Sequence, residues 1–191
     1  MDGHEFGTYH YELRKKKSPM SFDPFQDRLS RDIRNDLAAA VIPMLAERDP
    51  AHALKAAKPY LDRGLSSCQR HYVEDRLERY RSVLAESAEG DDALRQALIL
   101  WDHQLFFEVH EVLEKEWYSA EGDEKKTLQA MIRAAGVYIK LEHGYREAAR
   151  KMADRALPVL QENKELLARY FKPEKLIRAL RNLEEVPPLL L

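Results

Sequence analysis

Leu128-Gln129-Ala130-Met131-Ile132-Arg133-Ala134-Ala135-Gly136-Val137-Tyr138-Ile139 is the stretch that decides the fold. Leu128, Met131, Ile132, Ala135, Tyr138 and Ile139 recur at i, i+3 and i+4, which places them on one face of an α-helix. A glycine inside a helix costs about 1 kcal/mol relative to alanine, so Gly136 reads as room for a neighbouring helix to approach. Gly144 closes this helix, and Tyr145, Ala148, Ala149, Met152, Ala153, Ala156 and Leu157 repeat the period in the next one. Residues 124–157 therefore read as an antiparallel helical hairpin. Its length and small residues resemble a tetratricopeptide-like unit, although the full motif is absent.

Helical signals extend outward in both directions. Upstream, Asp23-Pro24 and Asp49-Pro50 each read as a helix cap followed by proline at the first helical position. The first of these helices carries Leu29, Ile33, Leu37, Ala40 and Val41 and is expected to bend or end near Pro43; the second ends around Gly64. A third starts after Ser66-Ser67, with Tyr72, Val73, Leu77, Tyr80 and Leu84 at helical spacing and its arginines on a wet face. Glu89-Gly90-Asp91-Asp92 joins a glycine to two cap candidates and marks a boundary. Residues 93–101 form a helix, and Asp102-His103-Gln104 turns into another over 106–118. Downstream, Pro158 is expected to kink the chain and Pro173 to open a last helix with Leu176, Ile177, Leu180 and Leu183.

No segment reads as a strand. The expectation is an all-α fold of antiparallel helical hairpins, a helical-repeat-like bundle preceded by an additional N-terminal helical region. It divides as a flexible arm over 1–20, helices over 21–90, a compact helical domain over 91–184 and a tail over 185–191. The tail Val186-Pro187-Pro188-Leu189-Leu190-Leu191 is read as docking on the body, docking on another subunit, or fraying.

Composition narrows the function classes. Against 31 basic and 33 acidic residues the net charge is -2, and residues 1–90 hold as many basic as acidic groups, so neither half is a nucleic-acid or membrane-binding lobe. The run Arg14-Lys15-Lys16-Lys17 is a solvated arm beside Glu12. A single cysteine, Cys68, excludes a disulfide framework and suits a cytoplasmic protein. No stretch approaches the run of about 18 apolar residues needed to cross a membrane, and the N-terminus lacks a secretory pattern.

The segment Phe106-Phe107-Glu108-Val109-His110-Glu111-Val112-Leu113-Glu114-Lys115-Glu116-Trp117 concentrates the chemistry. At about 100° per residue, Phe106, Trp117, His110, Glu114 and Phe107 share one arc, with Glu108 opposite and Glu111 at the margin. On this wheel His110 and Glu114 are a buried polar pair, one turn apart, and Glu108 faces water or a different helix. Three alternatives follow. The pair is a core network whose second imidazole nitrogen meets a group from the Tyr138 hairpin; or it holds a divalent metal, with His103 or His143 completing the site; or His110 is a general base with Glu111 or Glu114. His110-Glu111 begins like HExxH but continues to Glu114, and position 107 is phenylalanine, so neither the zinc motif nor the ExxH di-iron spacing is complete. No nucleophile elbow, phosphate loop or dinucleotide fingerprint accompanies it.

The same residues, Phe106 to Glu114 followed by Trp117, resemble the signature of the DUF309 family, a small helical domain of unknown function. The resemblance extends over roughly 93–160. It implies a compact all-α domain with Glu108, His110, Glu111, Glu114 and Trp117 in the signature, and it supplies no activity. Arg133, Lys140 and Tyr145 depart from the polar residues that the family pattern favours along the second hairpin.

The function expected is a non-catalytic protein-interaction or small-ligand-binding module with a buried His110/Glu114 network and with Glu108, Glu111, Trp117 and Tyr138 as further candidates. The alternative is a metal-dependent or general-base hydrolase using His110 with Glu111 and Glu114. No cofactor is expected under the first; a divalent metal on His110, Glu114 and His103 belongs to the second. The partner is an unknown protein or small ligand, with a homo-oligomer formed through the N-terminal helices or the leucine tail also open, and neither nucleic acid nor membrane is expected.

Overall fold

A computed structural model describes residues 22–191. The expected arm over 1–20, with its basic run, lies outside the described residues. Nine helices and no strand occur among them, so the all-α fold stands. In chain order they are α1 (Arg28–Glu47), α2 (Ala51–Leu61), α3 (Ser67–Glu86), α4 (Ala93–Asp102), α5 (Phe106–Trp117), α6 (Gly122–Glu142), α7 (Arg146–Glu162), α8 (Lys164–Leu167) and α9 (Pro173–Asn182).

Local chemistry explains most of the boundaries. Ser66 and Gln69 form a reciprocal capping box at the start of α3, and Asp92 caps α4 by accepting from the Arg95 N–H at 2.8 Å. Between α4 and α5 the chain reverses through Gln104, whose φ of 56° lies in the left-handed region. Pro173 occupies the first turn of α9, where its missing N–H costs no helical bond.

Three expectations are corrected. Helix α1 is capped by Asp27 rather than Asp23; the Asp23 side chain instead accepts from the Phe25 N–H in a turn just before it. Pro43 and Pro158 lie inside α1 and α7, which run on for a further turn. In each case the residues flanking the proline, Val41, Met44 and Leu45 or Ala156 and Leu160, are buried, so core packing holds the backbone through the lost hydrogen bond.

The hairpins pack as follows. α6 lies against α7 and against α5, α4 lies against α5, and α9 covers α7. α1, α2 and α3 pack together, and α1 also packs on α5. Their buried residues form one hydrophobic cluster running from Ile33 to Leu190. At Gly136 a Cβ would stand 2.2 Å from the Met152 methyl, so the glycine does admit α7 closely. The tail folds back onto this body. Trp101 Nε1 donates to the Pro188 carbonyl at 2.9 Å, and the Asp102 carboxylate accepts from the N–H groups of Leu190 and Leu191. Leu190 is buried, while Leu189 and Leu191 stay exposed. No helix among the described residues is long and apolar enough to cross a membrane.

Candidate functional site

Helix α5 buries a different face from the one its aromatic residues suggest. Phe106, Glu108, Val109, Val112 and Leu113 are buried, whereas His110 and Glu114 are half-exposed. The aliphatic residues and Phe106 mark the core here; Phe107 and Trp117 are half-buried, each beneath a cationic side chain. Arg34 of α1 lies 3.9 Å above the Phe107 ring, and Lys125 of α6 lies 4.6 Å above Trp117. The buried His110/Glu114 network is therefore not present, and the buried acid is Glu108, which is 0% exposed.

Glu108 is held from the N-terminal helices. Tyr80 of α3 donates its hydroxyl to Glu108 Oε1 at 2.7 Å, and Arg76 Nε stands 3.3 Å from the same oxygen. Burial opposes the Arg76 charge, but Tyr72 and Glu108 outweigh it and hold its pKa well above the usual value. Burial first, and then the Glu108 charge, raise the Tyr80 phenol, so it remains a donor. Arg76 lies 4.6 Å above the Tyr72 ring, and Tyr72 stacks on Phe22 at 3.7 Å between centroids. Next to this group Arg79 pairs with Asp75 at 2.9 Å and donates to the His103 carbonyl at 3.0 Å. Among the α3 arginines expected on a wet face, Arg76 is thus a core residue.

The rim of the site is formed by the other side of α5. His110 Nδ1 is 3.3 Å from Glu111 Oε1, and its ring lies near-parallel to Phe107, 5.8 Å between centroids. That contact with Glu111 is the main cause that raises the His110 pKa; burial works against it, and Glu114 adds to it. His110, Glu111 and Glu114 can each point one ligand atom so that all three lie within 4.8 Å of one another. When the neutral imidazole donates a hydrogen bond from its Nδ1–H to Glu111, the Nε2 lone pair remains for a ligand, a metal or a proton. The rim can therefore act as a ligand set or as a base, and Glu111 takes the orienting role that the wheel gave to Glu114.

The remaining candidates separate from it. His103 turns to Glu86, with Nε2 and Oε1 2.9 Å apart, and does not join the metal-competent group. His143 sits 3.9 Å from Asp23 with its ring edge-on to Phe25. Tyr138 is buried in an aromatic cluster with Trp101 and Phe106, centroids 5.3 and 5.2 Å away, which takes it into the core behind α5.

Arg34, Tyr72, Arg76, Tyr80, Phe25 and Lys140 also belong to the site, and spacing alone did not single them out as functional. For Arg76 a signal was present: it lies four residues after Tyr72 and four before Tyr80, in the middle of the apolar face of α3. For Arg34 and Phe25 there was none, because their role arises from the packing of α1 on α5.

Residues 94–152 match the family model described as a domain of unknown function, DUF309. No curated protein and no solved structure gives a significant match. The part of the chain similar to DUF309 runs from α4 into α7 and carries Glu108, His110, Glu111, Glu114 and Lys140, and the side chains that clamp it from α1 and α3 come from sequence that this match leaves out.

Proposed function

We propose that the protein is a non-catalytic small-ligand-binding module of the cytoplasm, with its site on the rim of α5 around His110, Glu111 and Glu114. One observation carries this proposal: three convergent ligand groups are left half-exposed on a helix whose opposite face is clamped by the buried Glu108, Arg76 and Tyr80. A helix anchored in this way keeps its rim groups in place before any ligand arrives, which lowers the ordering cost of binding. The test is a fragment screen of anionic, cationic and neutral compounds by ligand-observed NMR on the full chain and on a His110→Ala variant. Fragments that bind the wild type, lose binding in the variant and are recovered unchanged support the proposal. A screen in which no fragment depends on His110 would count against it.

The 4.8 Å convergence favours a second possibility, a divalent cation held by His110, Glu111 and Glu114. Zinc titrated into the full chain is then expected to bind one equivalent and shift the His110 imidazole signals. His110→Ala and Glu114→Gln are expected to abolish that binding with the fold intact. Zinc binding that survives in both variants places the ion elsewhere.

A further inference from the structure

Two cations stand beside this rim without an ion-pair partner among the described residues. Arg34 of α1 and Lys140 of α6 converge on the Phe25 ring, with the guanidinium carbon 5.8 Å and the ammonium nitrogen 3.7 Å from its centroid. Both charges therefore gather around one ring, though they come from helices far apart in sequence. Arg34 gives Nε and one terminal nitrogen to the Asn35 side-chain oxygen at 3.2 and 2.9 Å, a neutral acceptor. Among the described residues neither cation has a carboxylate within ion-pair distance. By contrast, Arg76 and Arg79 of α3 are paired with Glu108 and Asp75.

Such a pair is costly when empty. Each side chain is half-buried, and moving a charge out of water without a partner disfavours it. Burial lowers the Arg34 pKa, against the pull of Tyr72, Glu108 and, more weakly, Glu111; burial and then Arg34 itself lower that of Lys140. Phe25 and Phe107 supply ring faces that hold the two cations in position. His143 and Tyr145 complete the surroundings of Phe25 edge-on, at 5.2 and 5.3 Å, and the Tyr145 hydroxyl accepts from Gln26 Nε2 at 3.0 Å. An oxyanion suits this arrangement, because a guanidinium presents a planar fork to two oxygens while an ammonium adds a point charge.

We propose that Arg34 and Lys140 form a binding site for the oxyanion group of a small ligand, a carboxylate or a phosphate, seated at the Phe25 ring next to His110 and Glu111. The proposal rests on the ligand-binding function proposed above and specifies the charge of the ligand. It also assigns part of the site to α1, outside the segment that matches DUF309, so that segment alone would hold an incomplete site.

The experiment titrates inorganic phosphate and, separately, acetate into the full chain in chloride-free buffer, following backbone amide and Lys140 side-chain NMR signals. Saturable shifts centred on Phe25, Arg34, Lys140 and Tyr145 are expected from at least one of the two anions, and which one saturates identifies the group. Lys140→Gln is expected to weaken that binding by about tenfold, and Arg34→Gln by at least as much, since it removes the fork. Lys175→Gln, an exposed cation on α9, is expected to leave it unchanged. Because Arg34 also packs on Phe107, its variant is read only where thermal unfolding is unaltered, and Lys140→Gln carries the test otherwise. Shifts that never saturate with either anion, or that persist in Lys140→Gln, overturn the proposal. If the anions fail while His110-dependent fragments still bind, only this site is lost; if both fail, the ligand-binding function falls with it.

Discussion

The Tyr80 hydroxyl of α3 and the Glu108 carboxylate of α5 meet at 2.7 Å, and both residues are buried. Arg76 closes the same group from one turn earlier on α3. A buried acid with one partner removed leaves the rest of its network uncompensated, so truncation costs more than the pair contributes when intact. Glu108→Ala is therefore expected to destabilise the fold by about 3–5 kcal/mol, because it strands the Arg76 charge. Tyr80→Phe removes one hydrogen bond to a charged group and is expected to cost about 1–3 kcal/mol. Urea unfolding of the two single variants and the double variant checks both values. Because they share one oxygen, their effects are expected to be non-additive. Strict additivity would mean that the two side chains do not interact in solution.

His110 provides a pH-dependent signature. Its folded pKa is raised, chiefly by the Glu111 contact, while its unfolded value is near the ordinary figure of about 6.5. The protonated pair therefore adds stability that is fully present below about 6.5 and is lost as pH rises through the higher folded value. Glu111→Gln is expected to lower the His110 pKa more than Glu114→Gln does, since Glu111 is the first cause and Glu114 only adds to it. Imidazole NMR titrations of the wild type and both variants decide this. Equal shifts in the two variants would reassign the main partner.

How far these features were legible in the sequence differs between backbone and site. Helical periods at Leu128 to Ile139 and Tyr145 to Leu157 named the α6 and α7 pair, because one buried stripe per helix is a local property. The α5 wheel failed at the step from apolar to buried. It weighed Phe107 and Trp117 as core residues, when Val109, Val112 and Leu113 were the better guides; aromatic rings can be covered by arginine and lysine stems without being enclosed. Glu108 lies among those aliphatic positions, so its burial could have been inferred. Its partners could not, because Tyr80 is 28 residues away and the spacing of α5 contains nothing about α3. The same limit hid Arg34 and Lys140, whose meeting at Phe25 is a product of tertiary packing alone.

The C-terminal residues make the last test. Leu190 is 5% exposed, and its N–H, with that of Leu191, is received by the Asp102 carboxylate at 2.8 and 3.0 Å. Leu189 beside it is 62% exposed. Burial of a leucine side chain is worth about 1.5–3 kcal/mol, so Leu190→Ala is expected to lower stability by about 2 kcal/mol and Leu189→Ala by no more than about 0.5 kcal/mol. Asp102→Asn keeps the shape but replaces one accepting oxygen with an amide donor, which cannot serve both N–H groups. Trp101 reports on the same contact, because its indole N–H donates to the Pro188 carbonyl. Its fluorescence is therefore expected to change in Asp102→Asn at temperatures where far-ultraviolet circular dichroism still shows the full helical content. A variant in which tail and body unfold together, with no separate change at Trp101, would show that the tail is part of the cooperative core rather than a strap laid on it.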